Sequence, residues 1–274
     1  MKPRPFDYVR PDTVEEAVAI LGEHGDEARV LAGGQTLLAM LNLRVVEPAI
    51  LLDITRIAEL DVIREVGNKI EVGAAVTQNR LMAWPELARK LPLLAAALPF
   101  VGHFQTRNKG TVCGSIAHAD PSSEIPLSLA LLEGEVMLRS RRGTRVLTAA
   151  EFQQGMLTTA REGDELITAV RFPVSPGGVA FREVARRHGD FAIIAVAALA
   201  DGADGTRVGV AGMAERPTVR RVESDAADGI RDSVERLAWE LQGYDDVHAS
   251  ARMRRDLLRR IAPVVIAEAK QCAA

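Results

Sequence analysis

Two glycine-bearing stretches of this chain have the residue types and spacing to hold an anionic ligand. The first is Ala32-Gly33-Gly34-Gln35-Thr36-Leu37-Leu38. Glycines let a backbone approach a ligand closely, and N–H groups at the start of a helix favour an anion. A tight turn that needs positive φ carries the same signature, so this stretch alone leaves both readings open. The second is Arg107-Asn108-Lys109-Gly110-Thr111-Val112-Cys113-Gly114-Ser115-Ile116-Ala117-His118-Ala119-Asp120-Pro121-Ser122-Ser123-Glu124. Basic residues, then Gly, Thr and Ser, then carboxylates suit a ligand that joins a diphosphate to a polyol. Donors would meet phosphate, and Asp120 or Glu124 would accept from sugar hydroxyls. The plainer alternative is a polar loop ending in Ser122 as the N-cap of the next helix. Both can hold at once, and two such loops in one chain favour ligand binding. Neither GxGxxG nor GxxxxGK[ST] occurs, so the Rossmann and P-loop signatures are missing.

These loops need elements to position them. Thr13 and Glu16 make a capping box, and Val14, Ala17, Val18 and Leu21 follow helical spacing until Gly22 and Gly25 offer stop signals. A strand over residues 28–32 runs into the first loop, and Leu37, Leu38 and Leu41 predict a helical turn leaving it. Strands are expected over 49–54, 69–74 and 166–172, and helices over 77–82 and 86–98, the latter with Pro85 near its start. Residues 135–140 and 144–148 read as a hairpin across Arg141-Arg142-Gly143. Pro173-Val174-Ser175-Pro176-Gly177-Gly178 is the strongest breaker cluster, which divides the chain into domains 1–176 and 177–274. Beyond it three strands are expected, over 180–186, 191–200 and 207–213, the last two joined by Asp201-Gly202-Ala203-Asp204-Gly205. Two helices follow, striped by Ile230, Val234, Leu237 and Leu241 and by Met253, Leu257, Ile261 and Val265, with Pro263 a kink.

Composition narrows the function classes. With 274 residues and 47% hydrophobic content the chain can bury a substantial core. A net charge of −3 gives no basic footprint for nucleic acid. The N-terminus, Met1-Lys2-Pro3-Arg4-Pro5, has no signal-peptide apolar region, and the longest apolar run, residues 191–200, would cross about half a bilayer as a helix. A cytoplasmic location without a membrane span is therefore expected. Cys113 and Cys272 are too few for a four-cysteine iron–sulfur cluster or zinc site, and the five histidines show no HExxH spacing. No metal site is expected on this chain.

A third motif, Arg186-Arg187-His188-Gly189-Asp190-Phe191-Ala192, follows the two loops. In that order the three closely resemble the FAD-binding medium subunit of molybdenum hydroxylases, the xanthine dehydrogenase and carbon monoxide dehydrogenase family, over essentially the whole chain. The resemblance implies an α+β fold: a two-subdomain FAD-binding module of the vanillyl-alcohol-oxidase type, then a small α+β domain with a three-stranded sheet and helices. It also implies roles. The backbone of Ala32, Gly33, Gly34, Gln35, Thr36 and Leu37 would cradle the FAD diphosphate. Thr111, Cys113, Gly114 and Ser115 would form the opposing wall, with His118, Asp120 and Glu124 near the ribityl chain and ribose. Ile167 and Phe191 would pack near the isoalloxazine, Arg182 would place a cation by the ring, and Asp190 joins the cofactor-binding set. The family often has two glycines where this chain has Cys113-Gly114. If position 113 needs positive φ, Cys113 is strained; its preferred reading is an inert packed thiol. Phe191 has a second reading as a strand core residue.

The resemblance further implies partners: a large subunit with the molybdenum cofactor and a small subunit with [2Fe–2S] clusters, arranged as a dimer of heterotrimers. This chain would take electrons from the clusters and pass them to an external acceptor. A free-standing FAD-dependent reductase or oxidase of the same fold is the alternative. A non-redox nucleotide-binding or assembly protein is a third reading. The arginines of the last helix (Arg252, Arg254, Arg255, Arg259, Arg260) suggest either a docking face or a plain solvated one.

Overall fold

The computed structural model describes residues 2–175, 177–201, 205–222 and 226–273. Pro176 at the expected boundary and Gly202, Ala203 and Asp204 of the expected turn lie outside the described residues.

The chain opens with β1 (Asp7–Val9), α1 (Val14–His24), β2 (Ala28–Leu31), α2 (Leu37–Asn42) and β3 (Ile50–Asp53). The strands pair in parallel in the order β1-β3-β2. Thr13 Oγ1 accepts from the Glu16 N–H, and Gly25 at φ 50° ends α1. Glu16 reaches back to the Asp12 N–H rather than to that of Thr13, so the box closes one residue early. Strand β1 escapes the sequence reading because its three residues lack a buried face.

Next come β4 (Ile63–Val66), β5 (Lys69–Gly73), α3 (Gln78–Met82), α4 (Leu87–Lys90), α5 (Pro92–Ala97), α6 (Phe104–Arg107), α7 (Val112–His118) and α8 (Glu124–Leu131). They are followed by β6 (Glu135–Ser140), β7 (Gly143–Thr148), α9 (Ala149–Phe152), β8 (Gln153–Gly155), β9 (Thr158–Thr159) and β10 (Leu166–Pro173). An antiparallel sheet forms in the order β4-β5-β10-β6-β7, with the expected hairpin at its edge. The single helix expected over 86–98 is two, because Leu91 sits at φ −131°, ψ 59° before Pro92. Proline bars the residue before it from helical geometry and restarts the helix at its own first position.

The last part holds β11 (Gly178–Val184), β12 (Ile194–Ala200), β13 (Thr206–Ala211), β14 (Thr218–Val222), α10 (Ala227–Leu241) and α11 (Ala251–Ala273). Its antiparallel sheet has four strands, not three. The extra one, Thr218-Val219-Arg220-Arg221-Val222, shows no apolar alternation that would announce it. Every residue of β12 is buried, because both faces of the sheet are covered. Ala180, Val196, Val208, Leu258 and Ile266 share one apolar cluster with α10 and α11, whereas Phe181, Ala195, Ala197 and Leu199 join the core built from residues before 173.

Helix α11 buries a different stripe from the expected one. Arg254, Leu258, Ala262, Val265, Ile266 and Ala269 face the sheet, and Met253 is exposed. Arg254, counted above toward a docking face, is 1% exposed. Its guanidinium donates to Ile193 O, to Gly212 O at 2.6 Å, to Tyr244 O at 3.2 Å and to Asp246 at 2.5 Å. Those partners meet its donors, which is how a charge sits in the core. Arg255 and Arg259 lie over the Trp239 ring, and Arg259 also binds Glu235 at 2.6 Å. Pro263 sits within α11 without ending it.

Candidate functional site

The two loops singled out by sequence meet backbone to backbone. A Cβ on Gly33 would lie 2.4 Å from Lys109 O and 2.6 Å from Gly110 Cα, so no larger residue fits there. Strand β2 delivers Ala32 and Gly33 to this contact. Gly34 then turns the chain at φ 69° into α2, where Leu38 N–H bonds Gly34 O at 3.0 Å. Gln35 Nε2 donates to Gly33 O at 3.1 Å, which braces the turn. The N–H groups of Gly33, Gly34, Gln35, Thr36 and Leu37 have no acceptor among the described residues. A row of free backbone donors beside a glycine contact is a cradle for an anion, the backbone concavity known as a nest.

The second loop is stitched to the chain leaving β5. Gln78 N–H donates to Gly110 O at 2.8 Å, Val112 N–H to Val76 O at 3.1 Å, and Thr77 bridges Thr111. Thr111 caps α7, its Oγ1 accepting from Gly114 N–H at 3.0 Å. A Cβ on Gly114 would come within 2.8 Å of that same hydroxyl, so glycine protects the cap. Cys113 lies inside α7 and is not among the residues with positive φ, so the anticipated strain is absent. Its side chain is 2% exposed, with Sγ 3.5 Å from Val72 O, and burial pushes the thiol far up. The thiol therefore faces the core, and only the backbone of Cys113 can face a ligand. Cys272 is exposed. A thiol reagent applied to the native protein should label Cys272 alone by peptide mapping; labelling of Cys113 before unfolding would contradict this packing.

Ser115 and His118 are half-buried on α7, which ends in Ala119 at φ 53°. Asp120 Oδ1 accepts from Ser122 N–H at 2.8 Å. The N-cap of α8 is Ser123, one residue beyond the expected Ser122. Glu124, first in α8, is 5% exposed and lies beside Glu183 of β11. Burial lifts the Glu124 carboxyl to about 8, with Glu183 and Asp120 adding to the effect. Burial also lifts Glu183 to about 7, opposed by Glu124 beside it.

Arg182 does not take the place expected of it. Along β11 alternate residues face opposite sides. Phe181 and Glu183 face α8 and the N-terminal core, while Ala180 and Arg182 face α11, where Glu268 binds the Arg182 guanidinium with Nε at 3.1 Å. The Arg182 side chain thus belongs to an exposed ion pair on the far face of the sheet.

The third motif closes against the loop before α6. A Cβ on Gly189, at φ 85°, would lie 2.9 Å from the Gly102 carbonyl and from His103 Cε1. Phe100 packs near Phe181 and His188, with ring centroids 5.5 and 6.1 Å away. The Asp190 carboxylate accepts from Arg187 Nε at 3.1 Å, which holds it below the usual carboxylate range. Phe191 is 59% exposed and precedes β12, so it is not a strand core residue. Ile167 is buried at a bulge in β10, where the register with β6 shifts before Ala169. Sequence reasoning passed over Glu183 and Gln78, and read Arg107 only as a basic residue of the second loop. Arg107 donates to Val101 O at 2.9 Å and Gly102 O at 2.8 Å, which fixes the turn that Gly189 meets. Gln78 was read only as helical, yet its Oε1 is buried beside Gly110 without a partner among the described residues. The one carboxylate in β11 was the only signal for Glu183.

Residues 4–175 match the family model described as the FAD binding domain in molybdopterin dehydrogenase. The chain is 42% identical over 202 residues to the caffeine dehydrogenase subunit beta of Pseudomonas sp. (strain CBB1), covering 73% of this chain and 68% of that protein. It is 34% identical over 282 residues to the nicotine 6-hydroxylase medium subunit of Paenarthrobacter nicotinovorans, covering 98% and 99% of the two chains. Among solved structures, quinoline 2-oxidoreductase from Pseudomonas putida 86 superposes with a TM-score of 0.94 at 32% identity, over 100% of this chain and 99% of that one.

Proposed function

The chain belongs to the family of FAD-binding domains of molybdopterin dehydrogenases, and on that premise we propose that it is the electron-transfer subunit of a heteromeric molybdenum hydroxylase. The observation that carries the cofactor assignment is the Gly33–Gly110 contact with its row of free N–H groups from Gly33 to Leu37. These residues fit FAD: a dianionic diphosphate needs donors without side chains in the way. Ala32 to Leu37 would hold the diphosphate, with the backbone of Thr111, Cys113, Gly114 and Ser115 opposite. His118, Asp120 and Glu124 would meet the ribityl and ribose hydroxyls, and Ile167, Asp190 and Phe191 would lie toward the ring. Bound FAD supplies reversible one- and two-electron chemistry. The part of this chain is to bind and orient it: glycines give close approach, Thr111 and Gly114 fix the second wall, and buried Ile167 keeps water from one side.

Electrons would arrive from the [2Fe–2S] clusters of a small partner subunit, fed by a large molybdenum-cofactor subunit, and leave to an external acceptor. Among the described residues no group of His, Cys, Asp and Glu is placed to hold a metal ion, and no helix is long and apolar enough to cross a membrane. The assembly would be a dimer of heterotrimers in the cytoplasm, with this chain divided at residues 176 and 177. Expressed alone, the chain should bind about one FAD, read from absorbance, and oxidise neither N-heterocycles nor aldehydes. Isolated natively, it should co-purify with molybdenum and iron. A colourless chain, or turnover by the lone chain, would defeat the proposal.

A further inference from the structure

We propose that Gln78, which lies outside the three motifs, is a further cofactor-binding residue: its buried carboxamide is kept for the FAD diphosphate beside the Gly33–Gly110 contact. The inference deepens the cofactor reading given above and rests on it. Gln78 opens α3 and is 5% exposed. Its carboxamide lies beside Gly110, where an added Cβ would stand 3.2 Å from Oε1 and 3.3 Å from Cδ. Gly110 is also the residue that Gly33 meets from the first loop. The carboxamide therefore sits where the two walls of the cradle join. Its Oε1 is buried without a partner among the described residues, and its Nε2 has no hydrogen bond to them either. The nearest backbone donors are already engaged. Gly110 N–H goes to Thr106 O at 2.7 Å, Lys109 N–H to the same oxygen at 3.2 Å, and Gln78 N–H to Gly110 O at 2.8 Å.

A buried amide with neither bond made destabilises the folded chain. A methionine of similar shape would fill the place without that cost, so the amide answers to a group that arrives with the ligand. A diphosphate brings acceptors for Nε2, and the adjoining sugar and polyol bring hydroxyls for Oε1. The last torsion of a glutamine is soft, so the amide can turn to the ligand while Gly110 stays in place. What fixes Gly110 is the backbone N–H of Gln78, which every substitution except proline keeps. Side-chain substitution therefore tests the carboxamide apart from the loop tie.

A residue that only fills space moves stability and affinity together, whereas this one should move them in opposite directions. Thermal melting of the FAD-free full chain and fluorescence titration with FAD read the two. FAD-free Gln78→Met should melt about 2–4 °C above the wild type, because the stranded amide is gone. Its FAD affinity should fall about ten- to a hundredfold, the weight of a hydrogen bond to a charged group. Gln78→Glu, which keeps the shape but trades the donor for an acid, should lose at least as much affinity. A FAD-free Gln78→Met that melts below the wild type, or does not fold, makes the carboxamide part of the fold's own bonding and overturns the proposal. So does a folded Gln78→Met that binds FAD as tightly as the wild type. Both results leave the cofactor reading standing. A wild-type chain that takes up no FAD overturns that reading and this proposal with it.

Discussion

Gly33→Ala is expected to yield a folded protein that has lost most of its FAD. The added methyl has nowhere to go: its position is 2.4 Å from Lys109 O and 2.6 Å from Gly110 Cα, both backbone atoms. A flexible side chain could swing aside, but here a loop must move. Gly110 is tied through Gln78 N–H at 2.8 Å and Lys109 through its N–H to Thr106 O at 3.2 Å, so the second loop resists. The first loop yields more easily, because it is half-exposed and its N–H groups from Gly33 to Leu37 are free. Moving it spreads the cradle. Overpacking strain of about 1–3 kcal/mol that binding must work against weakens FAD affinity by about ten- to a hundredfold. Flavin content after gel filtration and the FAD titration measure this. Full occupancy in the folded variant would show that the Gly33 turn is structural and that the cofactor sits elsewhere.

The contrast with Gly34 shows what the sequence could and could not convey. Both glycines stand out in Ala32-Gly33-Gly34-Gln35, but for different physical reasons. Gly34 is needed for its φ of 69°, a local property that the residue type announces. Gly33 is needed because Lys109 and Gly110 arrive from far along the chain, and nothing local encodes that. Most elements were legible for the same reason as Gly34: caps, periodicity and the Arg141-Arg142-Gly143 turn are short-range. The helix over 86–98 was misread because Pro92, itself local, was overlooked, but the other misplacements have the opposite cause. Arg182 was placed from the family resemblance and Phe191 was read within a strand over 191–200, whereas strand alternation and the late start of β12 decide which way they face. Glu183 was invisible because its neighbour, Glu124, sits on another element across the junction with the C-terminal sheet.

Arg254→Ala should cost more stability than any substitution in the cofactor loops. Sequence periodicity put Arg254 beside the apolar stripe of α11, and its charge made it read as surface. In the fold it is the largest fully buried side chain among the described residues. Gly212, at φ 81°, brings β13 to its end so tightly that a Cβ there would meet Ile193 O at 2.6 Å. The Arg254 guanidinium accounts for the two carbonyls at that pinch, Ile193 O and Gly212 O, and carries on to Tyr244 O and Asp246. Truncation strands those acceptors and leaves Asp246 without its cation, at about 3–5 kcal/mol for a broken buried pair. Gly212 N–H also holds Pro121 O at 2.9 Å, so loosening the pinch reaches the turn that leads into Glu124. Thermal melting should drop by roughly 10 °C in a chain of this size. Arg254→Lys should recover less than half of that, since an ammonium cannot serve four partners in the plane of a guanidinium fork. FAD affinity should fall with stability in both variants. A melt of Arg254→Ala within about 2 °C of the wild type would mean that α11 docks without this network.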